Sequence, residues 1–77
     1  MKITGTNSTI LIDLENGYKF RAAGEILLGG KFIVYKNSIT TWEPPYDHEI
    51  VTTQQLNEII KNIKAIENQN TVQLIFE

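Results

Sequence analysis

The chain has 77 residues, carries seven Lys plus Arg against nine Asp plus Glu, and has no cysteine. That length makes residues 1–77 one domain. The formal net charge of −2 argues against sequence-independent wrapping of nucleic acid, which needs a basic excess, and the lack of cysteine excludes disulfides, thiolate nucleophiles and Cys-ligated zinc.

In chain order, Met1 to Gly5 has no sustained apolar stretch of the kind a signal peptide carries, and the first few residues are expected to be poorly ordered. Ser8–Glu15 alternates as a strand, with Ile10, Ile12 and Leu14 on one face. Asn16-Gly17 predicts a two-residue hairpin turn of type I′, with positive φ at both central residues. Tyr18–Ile26 returns, placing Tyr18, Phe20 and Ala22 on the core side and Lys19 and Arg21 toward water. Gly24 within this strand marks a bulge or a close backbone approach. Gly29-Gly30 is the next turn, and Lys31–Lys36 is a third strand, apolar on both faces and so expected inside the sheet.

Asn37-Ser38 is a further turn. Ile39–Glu43, rich in β-branched residues, predicts a fourth strand that Pro44-Pro45 stops. Thr52 and Gln55 have capping-box spacing ahead of a helix over 53–67, with Ile50 or Val51 as its hydrophobic staple. Leu56, Ile59, Ile60, Ile63 and Ile66 form the apolar stripe of that helix. Asn68-Gln69-Asn70 ends it, and Thr71–Phe76 is a last strand with Val72, Leu74 and Phe76 on one face. The order β-β-β-β-α-β predicts an α+β fold, a mostly antiparallel sheet covered by one amphipathic helix.

Few residues carry chemistry. The one histidine, His48, lies between Asp47 and Glu49. An enzyme would use it as a general base oriented by a neighbouring carboxylate. Adjacent residues seldom converge on one point, however, and no separate nucleophile accompanies it. A solvated loop histidine is the plainer reading. Glu43, Asp47, His48 and Glu49 lack the acidic spacing and central glycine of a calcium loop. No metal and no cofactor is expected. Gly24 and Gly29-Gly30 match neither a dinucleotide nor a P-loop motif.

Residues 1–40 carry five bases and three acids, and residues 41–77 two bases and six acids. The basic half is too modest, and its aromatics too readily explained as core, to predict specific nucleic-acid binding. The acidic half contains the loop Trp42-Glu43-Pro44-Pro45-Tyr46-Asp47-His48-Glu49, with three carboxylates and two aromatic residues of types favoured at binding hot spots. Trp42 is read as the last core residue of its strand. Glu43, Tyr46, Asp47 and Glu49 are the candidate partner contacts.

The run Gly24-Glu25-Ile26-Leu27, then Phe32-Ile33-Val34-Tyr35, Ser38-Ile39 and Trp42-Glu43-Pro44-Pro45, followed by a Thr-capped helix and a short strand, resembles the small bacterial immunity proteins of the immunity protein 74 family. The likeness spans Thr9 to Glu77. It implies a non-catalytic cytoplasmic protein that binds a cognate polymorphic toxin and keeps it harmless, with Gly24, Glu25, Trp42 and Pro45 serving fold or function. The alternatives from other classes are a small enzyme built on His48 and a structural or regulatory homo-oligomer, with a homodimer left open. No membrane partner is expected, since no apolar run approaches the roughly 20 residues of a membrane span.

Overall fold

The computed structural model describes residues 1–66 and 73–77. Strands β1 (Lys2–Gly5), β2 (Thr9–Asp13), β3 (Lys19–Leu27) and β4 (Lys31–Val34) precede a single 3₁₀ turn at Lys36–Ser38, helix α1 (Thr53–Ile66) and strand β5 (Gln73–Phe76). The strands form one sheet in the order β1-β2-β3-β4-β5. Successive pairs from β1 to β4 are antiparallel, and β5 lies parallel to β4. A parallel neighbour needs a long crossover, which the loop and α1 supply. The α+β class and the order β-β-β-β-α-β hold, and β4 lies inside the sheet as its two apolar faces require.

The fourth of those strands is not where its propensity placed it. Ile39–Glu43 forms no strand; only Thr41 makes a bridge, to Ile50. The β-branched side chains there pack without joining a ladder, because the chain doubles back on itself around Pro44-Pro45. The additional strand is Lys2–Gly5, expected to be poorly ordered. Its one half-buried residue is Ile3, so nothing local marks it, and its order comes from pairing with β2. The third strand also ends earlier than expected. Tyr35 N–H donates to Ala23 O (2.9 Å) and Lys36 N–H to Glu77 O (2.9 Å), where the chain leaves β4 for the 3₁₀ turn.

The first hairpin departs from the two-residue turn. Leu14 N–H donates to Tyr18 O (3.0 Å), enclosing three residues, and positive φ falls at Glu15 (61°) and Gly17 (98°), not at Asn16. Side chains decide this. Asp13 Oδ1 accepts from Glu15 N–H (2.8 Å) and Asn16 Oδ1 from Tyr18 N–H (3.0 Å), each replacing a backbone partner two residues on.

Strand β3 changes partner midway. Lys19–Ala23 pair with β2, and Gly24–Leu27 pair with β4. Gly24 sits at the changeover and makes the close approach foreseen for it. A Cβ there would strike Ile33 O and the Phe32 ring, and the register between β3 and β4 runs through without a bulge.

The core joins Ile10, Ile12, Phe20, Ala22, Phe32, Val34 and Leu74 of the sheet to Leu56, Ile59 and Ile63 of α1, with Trp42 between. Lys19, Arg21 and Gln73 are exposed, as expected. The helix begins with the reciprocal cap that its spacing predicts. Thr52 N–H donates to Gln55 Oε1 (3.0 Å), and Gln55 N–H donates to Thr52 Oγ1 (3.1 Å). Val51 is the staple candidate that packs on the core, while Ile50 is exposed. Of the apolar stripe, Ile66 also ends up exposed. The expected helix end at Asn68-Gln69-Asn70, and Thr71 and Val72 of the last strand, lie outside the described residues.

Two variants test this packing by urea unfolding. Gly24→Ala overpacks the β3–β4 contact and should cost about 1–3 kcal/mol. Thr52→Ala removes one half of the cap and should cost about 1 kcal/mol.

Candidate partner-binding surface

Between Tyr35 and Val51 the chain leaves the sheet and returns along the edge of β3 that has no strand beside it among the described residues. Ser38 Oγ donates to Tyr35 O (2.6 Å) and accepts from Ala23 N–H (2.8 Å). Glu43 N–H donates to Lys19 O (2.8 Å). Side chains and single backbone bonds thus replace a strand along this edge, which otherwise presents unpaired polar groups.

The outer part of this segment closes on itself. Val51 N–H donates to Thr40 O (2.9 Å) and Trp42 N–H to Glu49 O (3.1 Å), which fixes the neck. Inside it run two consecutive turns, with Tyr46 N–H donating to Glu43 O (3.1 Å) and Glu49 N–H to Tyr46 O (3.0 Å). The Pro44–Pro45 bond is cis. Its own hydrogen bonds and its aromatic anchor give the loop a defined conformation.

That anchor is a run of four rings. Trp42 is buried and meets Phe20 and Tyr18 edge to face, with centroids 5.7 and 5.1 Å apart. Tyr18 in turn stacks on Tyr46, with centroids 3.9 Å apart and planes 12° from parallel. Each such pair adds about 0.5–1.5 kcal/mol beyond the area it buries. Trp42 is therefore core, as its position suggested. Its Nε1 is a buried side-chain polar atom that has no hydrogen-bond partner among the described residues. An unmet donor of that kind costs about 1–3 kcal/mol.

The four candidate contacts have different surroundings. Glu43 is half-buried and its Oε1 accepts from Arg21 Nε at 2.7 Å. Arg21 is largely exposed, so this pair adds little stability, about 0–1 kcal/mol, but it ties the loop to β3. Tyr46 is half-buried by its stacking on Tyr18. Glu49 accepts from the Tyr18 hydroxyl at 3.3 and 3.4 Å. Asp47 is exposed. His48 is 75% exposed, with Nε2 3.8 Å from Glu49 Oε2, a contact that becomes an ion pair only when the imidazole is protonated. Among the described residues, no group of three His, Asp or Glu is placed to hold a metal ion.

Sequence reasoning assigned Tyr18 and Arg21 only to opposite sheet faces and missed their part in this surface. It also missed the helix. A groove of about 620 Å³ lies beside the loop, between Tyr18, Trp42 and Glu49 on one side and Gln55, Glu58 and Asn62 on the other. The i, i+3, i+7 spacing of those three helix residues marks a common face; what that face lies against is not visible in the spacing.

Partial burial, then the charge and hydrogen bond of Glu49, hold the Tyr18 phenol above its ordinary value of 10.0. A raised phenol favours the neutral form in the folded state. That contribution to stability is complete below about pH 10, where the unfolded phenol is also neutral, and is lost as pH rises through the higher folded value. Phenolate absorbance should show Tyr18 titrating late, and Tyr18→Phe should lessen the alkaline loss of stability. Tyr35, raised chiefly by burial and by Glu25, should keep its late titration in that variant.

No helix among the described residues is long and apolar enough to cross a membrane. Comparison with curated proteins and with solved structures gives no match. A family model described as Immunity protein 74 matches residues 2–77, which include β1, the Pro-Pro loop, the capped helix and β5. With essentially every residue matched, the chain belongs to the Immunity protein 74 family.

Proposed function

We propose that this protein is a non-catalytic binding module that neutralises a cognate bacterial toxin in the cytoplasm by covering part of its surface. Membership of an immunity-protein family supports the role. The observation that carries the choice of surface is the closed, aromatic-anchored loop, which presents Asp47 to solvent at the acidic end of the chain. A segment already ordered loses less entropy on binding. Asp47 makes the outward contact. Glu43, Tyr46 and Glu49 complete the interface while also holding the loop through Arg21 and Tyr18. Such a surface suits a basic partner, because complementary charge speeds encounter and disfavours wrong partners.

The test begins at the neighbouring gene: a secreted protein ending in a toxin domain supports the role and supplies the partner to assay, and its absence counts against the role. Asp47→Lys should slow association in a salt-dependent way and leave thermal stability unchanged. Lys19→Glu, on the exposed sheet face, should leave association intact or speed it. Unchanged binding by Asp47→Lys together with weakened binding by Lys19→Glu would move the interface to the sheet. His48→Ala should still neutralise the toxin. A turnover reaction of the purified protein that this variant abolishes, with the fold intact, would overturn the binding role.

A further inference from the structure

The groove beside the loop has walls of two kinds. Tyr18 and Trp42, with Leu14 and Ile59, give it an aromatic and aliphatic lining, and Glu49 from the loop and Glu58 from α1 are its two acidic lining residues. Among the described residues that line it there is no Lys, Arg or His side chain, and the ammonium of Met1, which also lines it, is paired with Glu15 Oε1 at 3.1 Å. Its roughly 620 Å³ is ample for one long side chain. Trp42 also lines this groove, while its indole N–H, which has no partner among the described residues, is itself buried.

Building on the toxin-binding role, we propose that the groove receives a single lysine or arginine side chain projecting from a turn of the toxin. A cation there would lie between Glu49 and Glu58 and against the Tyr18 ring, which combines charge pairing with a cation–π contact. The same arrangement rejects an acidic or a purely apolar side chain, which would leave two carboxylates facing a like charge or desolvated without a partner. Helix α1 thereby becomes the second half of the interface, through Glu58, with Gln55 and Asn62 at its margin.

The chain has one tryptophan, so its indole N–H is a unique NMR reporter of this groove. Titration of the ¹⁵N-labelled protein with the neighbouring-gene toxin domain should move that resonance. Glu58→Lys should weaken binding on the order of tenfold or more, and Glu58→Gln by less. Glu58 is exposed on α1, so neither change should lower the thermal midpoint. Glu25→Lys, the same charge change on β3, should bind as the unmodified protein does.

Normal binding by Glu58→Lys, or an unmoved indole resonance in the complex, would overturn the groove proposal while Asp47→Lys still tests the loop. A toxin that fails to bind the unmodified protein would remove the binding role itself, and the groove proposal with it. A concentration-dependent dimer that Glu58→Lys dissolves, with toxin binding unchanged, would reassign the groove to a second copy of the chain.

Discussion

Among the described residues, half of β3 has no strand on one side, and the arrangement of the functional surface follows from that. The strand is nine residues long, but β4 has four and pairs only with its second half. Along Lys19–Ala23 the edge toward β4 would otherwise expose backbone groups, an opening for unwanted pairing. The chain answers with the segment after β4. Tyr35, Ser38 and Glu43 each bond to this edge, at Ala23 and Lys19. Gly24 is needed at the point of exchange because no side chain fits between β3 and the Ile33 carbonyl there. The loop is thus laid along the sheet by the geometry of the strand pairing.

The aromatic run connects that edge to the hydrophobic core. Phe20 and Trp42 are buried, Tyr18 and Tyr46 are half-buried, and the rings pass contact outward one to the next. A loop fastened only by surface hydrogen bonds would open easily, since each is worth about 0.5–1.5 kcal/mol net. Burial of Trp42 adds the larger contribution and couples the loop to the same core that holds α1. The cap at Thr52 and Gln55 then starts the helix directly after the loop closes, so loop and helix lie beside each other with the groove between them. This adjacency makes one surface of parts that are far apart along the chain, Tyr18 among them.

Charge divides the carboxylates by task. Glu43 and Glu49 are engaged with Arg21 and the Tyr18 hydroxyl, where they hold shape. Asp47 and Glu58 are exposed. Glu49 has both roles, because it supports Tyr18 and also lines the groove. An ion pair as exposed as Arg21–Glu43 contributes little to folding free energy. Its effect is geometric, since it holds a half-buried carboxylate in register against β3.

Local periodicity by itself determined much of this protein. The alternation of Ile10, Ile12, Phe20 and Ala22, the stripe of Leu56, Ile59 and Ile63, and the Thr52–Gln55 cap are written in spacings of two, three and four residues, and the molecule follows them. The run from Gly24 to the Trp-Glu-Pro-Pro segment also carried the family. Tertiary structure decided the rest. Lys2–Gly5 became a strand because β2 lay beside it, and Ile39–Glu43 did not because the segment bonds across a half-covered edge and turns back at the prolines. Glu15 took the positive φ because two side-chain acceptors rewired the turn. The candidate contacts were legible as an acidic aromatic loop, but their division of labour was not. Which carboxylate faces water and which is held by Arg21 or Tyr18 depends on partners 22 and 31 residues away, a separation no local pattern records.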